Sequence, residues 1–153
     1  MGKTLSDFGD SELLLQLCSG QNLAVLSTEA DARPYASLVA VAMTSDLRHL
    51  FFATPRATRK YANLSTNPRV ALLLDNRTNQ VADFSRAAAA TVLGVAQELS
   101  AQERDKNQAF YLERHPHLAE FAASPSTALF RVRVESIYLV TRFQSVMEYH
   151  FTP

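Results

Sequence analysis

Residues 54–74 (TPRATRKYANLSTNPRVALLL) concentrate cationic and hydroxyl side chains in a chain whose net charge is zero. Four of the fifteen lysines and arginines fall there, and no acidic residue accompanies them; they are Arg56, Arg59, Lys60 and Arg69. Guanidinium, ammonium and hydroxyl groups form charge-assisted hydrogen bonds with phosphate oxygens. The composition of this segment therefore raises the hypothesis of a phosphate-binding site.

The elements predicted around this segment place it where a phosphate can bind. Apolar residues 49–54 indicate a strand, Pro55 ends it, and a short helix begins near residues 57–60 and ends at Asn67–Pro68. The first N–H groups of a helix lack partners and carry the positive end of its dipole. Thr58, Arg59 and Lys60 would then bind phosphate there. From these residues alone, a solvated basic helix face is an equally good interpretation.

Size and composition indicate a soluble globular protein, which we expect to form a single domain over residues 1–153. Apolar residues make up 47% of the chain and charged residues 20%. The neutral balance argues against nucleic acid and membrane partners, which require a field of one sign. Cys18 is the only cysteine, so an intramolecular disulfide is excluded, a cysteine-based zinc site is not expected, and a reducing, cytoplasmic location fits.

The remaining pattern predicts mainly β structure with added helices. A helix over DSELLLQLC, with Asp10 or Ser11 as its N-cap, ends at Gly20, and a capping box of Ser100 and Glu103 opens a second helix over 101–114. Six strands are predicted, over 22–28, 35–43, 49–54, 69–76, 87–99 and 127–143. The first three form an antiparallel meander. This order favours a small barrel over a doubly wound sheet.

The segment RPYASLVAVAMTSDLRHLFFATPRATRKYANLSTNPRVALLL resembles the core of the pyridoxamine 5′-phosphate oxidase-like, FMN-binding split-barrel superfamily. Four motifs carry the resemblance in order: Pro34–Tyr35, LFFAT, Thr58–Arg59–Lys60 and Asn67–Pro68–Arg69–Val70. GVAQEL at 94–99 is similar to the family's next strand. The resemblance covers residues 20–143 and implies a six-stranded split β-barrel that forms a homodimer with FMN sites at the interface.

The resemblance also assigns candidate FMN-binding residues. It implies that Arg59 and Lys60 hold the FMN phosphate with help from Ser37 and Thr58, and that Thr54 lies near the ribityl chain. The strand around Ser37, Leu38, Val39 and Ala40 would line the isoalloxazine. Asn76 and Arg77 would reach the flavin or a second subunit, although a solvated loop explains these two residues equally well.

The chain departs from the classical oxidases in ways that narrow its function. The classical oxidases carry an arginine before the flavin-lining strand and a lysine at its end, and these positions correspond here to Ser37 and Ala42. Their C-terminal Arg-x-His-x-Arg pattern after a tryptophan is also missing. A true pyridoxamine phosphate oxidase is therefore not expected. We expect an FMN-dependent oxidoreductase that acts on a small molecule. The alternatives are a non-catalytic flavin-binding or sensor protein, a haem-binding or haem-utilisation relative, and a protein that binds the deazaflavin F420.

The four histidines and the C-terminal segment suggest no further chemistry. His115 and His117, separated by Pro116, are predicted to lie in a surface loop and not to bind a metal. The residues after 143, including His150, are predicted to form a packed or frayed tail; the alternative is a tail that folds over a pocket and brings His150 to a ligand.

Overall fold

A computed structural model describes residues 9–142 and 145–153 of the chain. The strands are β1 (Leu23–Ala30), β2 (Arg33–Met43), β3 (His49–Pro55), β4 (Arg69–Asp75), β5 (Ala88–Glu98), β6 (Thr127–Thr141) and β7 (Ser145–His150). The α-helices are α1 (Gly9–Gly20), α2 (Arg59–Thr66), α3 (Asp83–Arg86), α4 (Ala101–Arg114) and α5 (Ala119–Ala123), and a 3-10 turn covers Pro116–Leu118. None of the helices in these two ranges combines the length and apolar character that a bilayer crossing requires.

The strands form one antiparallel sheet in the order β3-β2-β1-β4-β5-β6-β7, and β3 also pairs with β6. This last pairing closes strands β1 to β6 into a barrel, so the predicted six-stranded split barrel with added helices is confirmed. The predicted meander of β1, β2 and β3 is also present. β1 and β2 extend beyond their predicted ends because only Asp31 and Ala32 separate them, and both adopt positive φ, as a tight hairpin turn requires.

β7 corrects the prediction of a C-terminal tail. One edge of β6 pairs with β3 over Thr127–Arg133 and then with β7 over Ser136–Thr141. Without β7, the second half of that edge would expose unpaired backbone groups. The sequence signal of β7 was weak because most of its side chains are exposed or half-buried, with Tyr149 the buried exception.

The barrel interior is filled by alternate side chains of the strands. Leu26, Leu50, Phe52, Leu72 and Val132 are fully buried in one cluster, to which Leu14, Leu17 and Cys18 of α1 contribute. Burial raises the pKa of the Cys18 thiol to about 12, so the cysteine acts as a core residue. Gly94 lies at an irregularity in the β5–β6 register, and a Cβ at this position would collide with the carbonyl oxygen of Arg133.

Helices α4 and α5 pack outside the barrel, in a second buried cluster that includes Ala42, Phe51 and Leu129 of the strands. Tyr111 on α4 donates a hydrogen bond from its hydroxyl to Ala40 O (3.1 Å), and the Nε2 of His115 lies 2.7 Å from Val41 O. The prediction that His115 lies in a surface loop is wrong, because the ring is only 2% exposed and acts as a hydrogen-bonded core residue. His117 is exposed, as predicted.

Two helix predictions also need correction, and one is confirmed. Asp10 and Ser11 lie inside α1 and not at its N-cap, although the helix does end at Gly20. The short helix α3 interrupts the predicted polar loop after β4. The capping box of Ser100 and Glu103 is present at the start of α4 as predicted.

We expect the free energy of unfolding to fall as the pH drops through about 6.5, the usual pKa of an unfolded histidine. Burial lowers the pKa of His115, and Arg114 and His117 lower it further, while the hydrogen bond to Val41 opposes the shift. The unfolded chain therefore binds a proton that the folded chain does not. Urea unfolding on both sides of this pH measures the loss. His115→Gln should remove this part of the pH dependence and exposed His117→Gln should keep it; identical behaviour of the two variants would contradict the assignment.

Candidate functional site

The start of α2 is organised by threonine hydroxyls. Thr58 is the N-cap, has an extended backbone, and accepts a hydrogen bond from Tyr61 N at 3.3 Å. Its Oγ1 also donates to Pro55 O (2.9 Å) and lies 3.2 Å from Thr54 Oγ1. Thr54 itself is 1% exposed. The two hydroxyls therefore fix the corner between β3 and α2, which orients the first N–H groups of the helix.

Arg56 differs from the other cations of the basic segment because it is fully engaged in the fold. Its guanidinium forms an ion pair with Glu98 at 2.7 Å and donates to the carbonyl oxygens of Pro125 (2.5 Å) and Thr127 (3.2 Å). Tyr61 donates its hydroxyl to the second oxygen of Glu98 (2.9 Å). Arg56 thus holds the β3–α2 corner against the ends of β5 and β6, a positioning role that the sequence did not indicate.

Arg59 and Lys60 are positioned differently. The guanidinium carbon of Arg59 lies 5.9 Å from the centroid of the Tyr35 ring, within the range of a cation–π contact. Arg59 is exposed and Lys60 half-buried, and neither has an ion-pair partner in the described part of the chain. Two uncompensated positive charges therefore flank the start of α2, and the contact with Tyr35 turns Arg59 toward β2.

Ser37 has an unusual polar atom and lies on the face of β2 that carries Tyr35. Side chains alternate along a strand, so Ser37 shares a face of β2 with Tyr35 and with the buried Val39. Its Oγ is buried and has no hydrogen-bond partner among the described residues. A buried hydroxyl without a partner is costly and uncommon, so this position stands out among the polar groups of β2. The donors near the start of α2 fit a phosphate group.

The remaining residues of the predicted isoalloxazine-lining strand divide between two faces. Val39 is 5% exposed and packs in the barrel core, whereas Leu38 is 63% exposed on the outer face and Ala40 is half-buried. Leu38 pairs with Val25 on β1, and Val25 pairs with Leu73 on β4. These three residues form an apolar row across the outside of the barrel.

Asn76 and Arg77 lie at the far end of β4, where their contacts are local. Asn76 Oδ1 accepts from Ala88 N at 2.8 Å and closes the entrance to β5, and Arg77 Nε lies 3.0 Å from Asp75 Oδ2. Within one chain, Thr54, Thr58 and Arg59 lie together around the β3–α2 corner, with Lys60 next along α2. Asn76 and Arg77 lie apart from this group.

A cavity of about 550 Å³ adjoins Arg77. Its walls include Leu73, Ala89, Val140 and Phe84. The loop beside it is held by Asp83, whose carboxylate accepts hydrogen bonds from the N–H groups of Thr78, Asn79 and Gln80. Desolvation raises the pKa of Asp83, but the hydrogen bonds lower it by more, so the net pKa is below its usual value. The cavity has the volume of a small-molecule site and mostly apolar walls.

Comparison with known proteins places this architecture in a family. Residues 11–141 match the family model described as pyridoxamine 5′-phosphate oxidase. The chain belongs to this family. No curated protein matches the sequence significantly. The matched residues include the β3–α2 corner and the strands around it.

Solved structures of similar fold include proteins that bind different cofactors. A haem-binding protein from Mycobacterium smegmatis is 16% identical, with a TM-score of 0.78 over 89% of this chain and 55% of that one. ChuZ from Campylobacter jejuni is 12% identical, with a TM-score of 0.79 over 93% and 59%. An FAD-binding protein from Mesorhizobium loti is 17% identical, with a TM-score of 0.66 over 84% and 90%. The chain spans little more than half of the first two proteins, and at these identities the likenesses show the fold alone.

We expect Ser37→Ala to leave the free energy of unfolding of the ligand-free protein unchanged or to increase it, because the variant removes a buried hydroxyl that has no partner among residues 9–142 and 145–153. Thr28→Val is the matched control, since the buried Thr28 hydroxyl accepts a hydrogen bond from Asn63 Nδ2 at 3.0 Å. The control should lose roughly 1–3 kcal/mol because it leaves that amide unpaired. Urea unfolding measures both variants; a comparable loss in Ser37→Ala would show that its hydroxyl is already satisfied.

Proposed function

We propose that this chain is an FMN-binding flavoprotein whose 5′-phosphate site lies at the β3–α2 corner. Arg59 and Lys60 would supply positive charge, Ser37 a hydroxyl, and the start of α2 its free N–H groups, while Thr58 would hold the corner in place through its hydrogen bond to Pro55 O. One observation carries the proposal: a buried Ser37 hydroxyl, without a partner in the described part of the chain, lies on the face of β2 that Arg59 contacts through Tyr35. Family membership supports the same reading.

The groups proposed to bind the ligand are few, which suits a single phosphate group. FMN ends in a phosphate monoester, which suits two cations, a serine hydroxyl and a helix N-terminus. Haem is a second candidate, since haem-binding proteins share the fold and its propionates would also suit cations. The absorption spectrum of purified protein tests the two directly: flavin bands support the proposal, whereas a Soret band would replace FMN with haem.

We propose further that the protein acts as an oxidoreductase that passes electrons from a reduced donor to a small organic acceptor. Bound FMN would supply the redox chemistry, and the protein would bind and orient it. The cavity beside Arg77 and Phe84 is the proposed acceptor site, because apolar walls with a few polar groups at the rim suit a small organic molecule. Flavin reduction by a nicotinamide donor and reoxidation by candidate acceptors would separate this activity from a non-catalytic flavin-binding role.

We expect Arg59→Ala together with Lys60→Ala to weaken FMN binding roughly a hundredfold or more, about 3 kcal/mol, because two charge-assisted contacts to phosphate are lost. Riboflavin, which lacks the phosphate, should lose much less. Isothermal titration of both ligands measures the difference. Arg86→Ala with Lys106→Ala removes the same charge from exposed positions and should leave both affinities unchanged. Equal losses for FMN and riboflavin would mean that the pair does not face the phosphate.

The active form is proposed to be a homodimer that uses the outer face of β1, β2 and β4. Leu38 and Leu23 are 63% and 54% exposed there, and Val25 and Leu73 continue the same apolar surface. Exposed apolar patches of this kind mark interaction sites. A symmetric pair of barrels would cover the patch and bring each flavin-lining strand to the interface.

We expect the protein to have twice the 17.0 kDa mass of one chain in light-scattering chromatography. Leu38→Asp should shift it to the monomer, because a carboxylate buried in an apolar interface has no partner. Leu15→Asp on α1 is the control, since Leu15 is 38% exposed outside this face. A Leu38→Asp protein that remains dimeric would place the interface elsewhere.

A further inference from the structure

We infer a second anion site, separate from the β3–α2 corner, in a cleft on the outside of β3, β5 and β6. The cleft has a volume of about 440 Å³, and none of the described residues that line it is acidic. Its lining includes His49, Pro68, Val95, Gln97, Arg131 and Arg133. Nothing in the proposed flavin site uses these residues. The chemistry points to a small polyanion that carries phosphate or carboxylate groups.

The strand register explains why cations converge there. His49 pairs with Arg133, Arg133 with Val95, and Val95 with Arg69, so one row crosses four strands. In the next row, Arg131 pairs with Phe51 and Gln97. Neighbouring strands lie about 4.8 Å apart, and residues i and i+2 point to the same face. Arg131 and Arg133 are therefore held side by side, with His49 directly beside Arg133.

Nearby acids offset only part of this charge. Glu103 lies 3.4 Å from Arg131, and Glu135 lies 3.7 Å from Arg69, whose side chain is 76% exposed. Arg133 is exposed and has no ion-pair partner in residues 9–142 and 145–153. Holding like charges together costs free energy, and an anion in the cleft would relieve it. Arginine forks suit phosphate and carboxylate because they bind two oxygens at once.

The cleft is distant from the proposed FMN phosphate site. His49 begins β3 and Thr54 lies near its end, so five residues, or about 17 Å of strand, separate them. The Arg59 side chain faces Tyr35 on β2, away from β6. A ligand in the cleft would therefore bind independently of FMN, and the test can keep the two sites apart.

The experiment uses inorganic diphosphate as the probe and the full chain carrying Arg59→Gln and Lys60→Gln, which removes the cations of the other site. Calorimetry at low ionic strength gives the affinity, and backbone amide shifts locate the ion. We expect binding with shifts at His49 and at Val95–Gln97. Adding Arg133→Gln should weaken it about tenfold through the loss of one charged, two-pronged contact. Citrate titrated in parallel distinguishes a polycarboxylate ligand from a phosphate one.

Arg86→Gln is the matched control, because it removes one exposed arginine near the opposite end of β5, about 25 Å from the cleft along the strand. It should leave diphosphate affinity unchanged. The inference is overturned if the protein lacking the Arg59 and Lys60 charges binds neither probe, if the shifts map elsewhere, or if Arg133→Gln has no more effect than Arg86→Gln. None of these results depends on FMN binding, so the proposed function stands or fails separately.

Discussion

The pairing of β3 with β6 is the constraint on which the rest of the molecule depends. It closes the barrel through seven consecutive residue pairs, from His49 with Arg133 to Pro55 with Thr127. At one end of this ladder, β3 leads into α2. At the other end, the row that begins with His49 and Arg133 continues to Val95 on β5. Both candidate anion sites thus take their geometry from one strand pair, at its two ends.

The corner between β3 and α2 shows how similar side chains acquire different roles. Arg56 and Arg59 are three residues apart and chemically identical, yet Arg56 is bound to Glu98 and two carbonyl oxygens, whereas Arg59 has no acid partner among the residues that the structure describes. The contacts of Arg56 fix the backbone of the corner from which Arg59 extends. Because Arg56 holds the corner to β5 and β6, the hydroxyls and N–H groups at the start of α2 are oriented before any ligand arrives.

The two faces of β2 connect cofactor binding with assembly. Ser37 and Val39 face inward, and Leu38 faces outward onto the apolar row formed with Val25 and Leu73. A strand that presents an unpartnered hydroxyl on one face and an exposed leucine on the other is incomplete in two respects. The proposed ligand would bind the hydroxyl, and the proposed second copy of the chain would cover the leucine.

The amino-acid sequence by itself determined the local pattern: the strands with clear alternation, the capping box of Ser100 and Glu103, and the basic helix start. These features depend on neighbours in the chain, so their signal survives without the fold. Tertiary structure alone decided that β7 pairs with the free edge of β6, that His115 is buried beside Val41, and that Arg56 is an anchor while Arg59 is not. Each of these outcomes depends on a partner that is distant in sequence, because burial and charge compensation are set by what the chain brings near and not by the residue type.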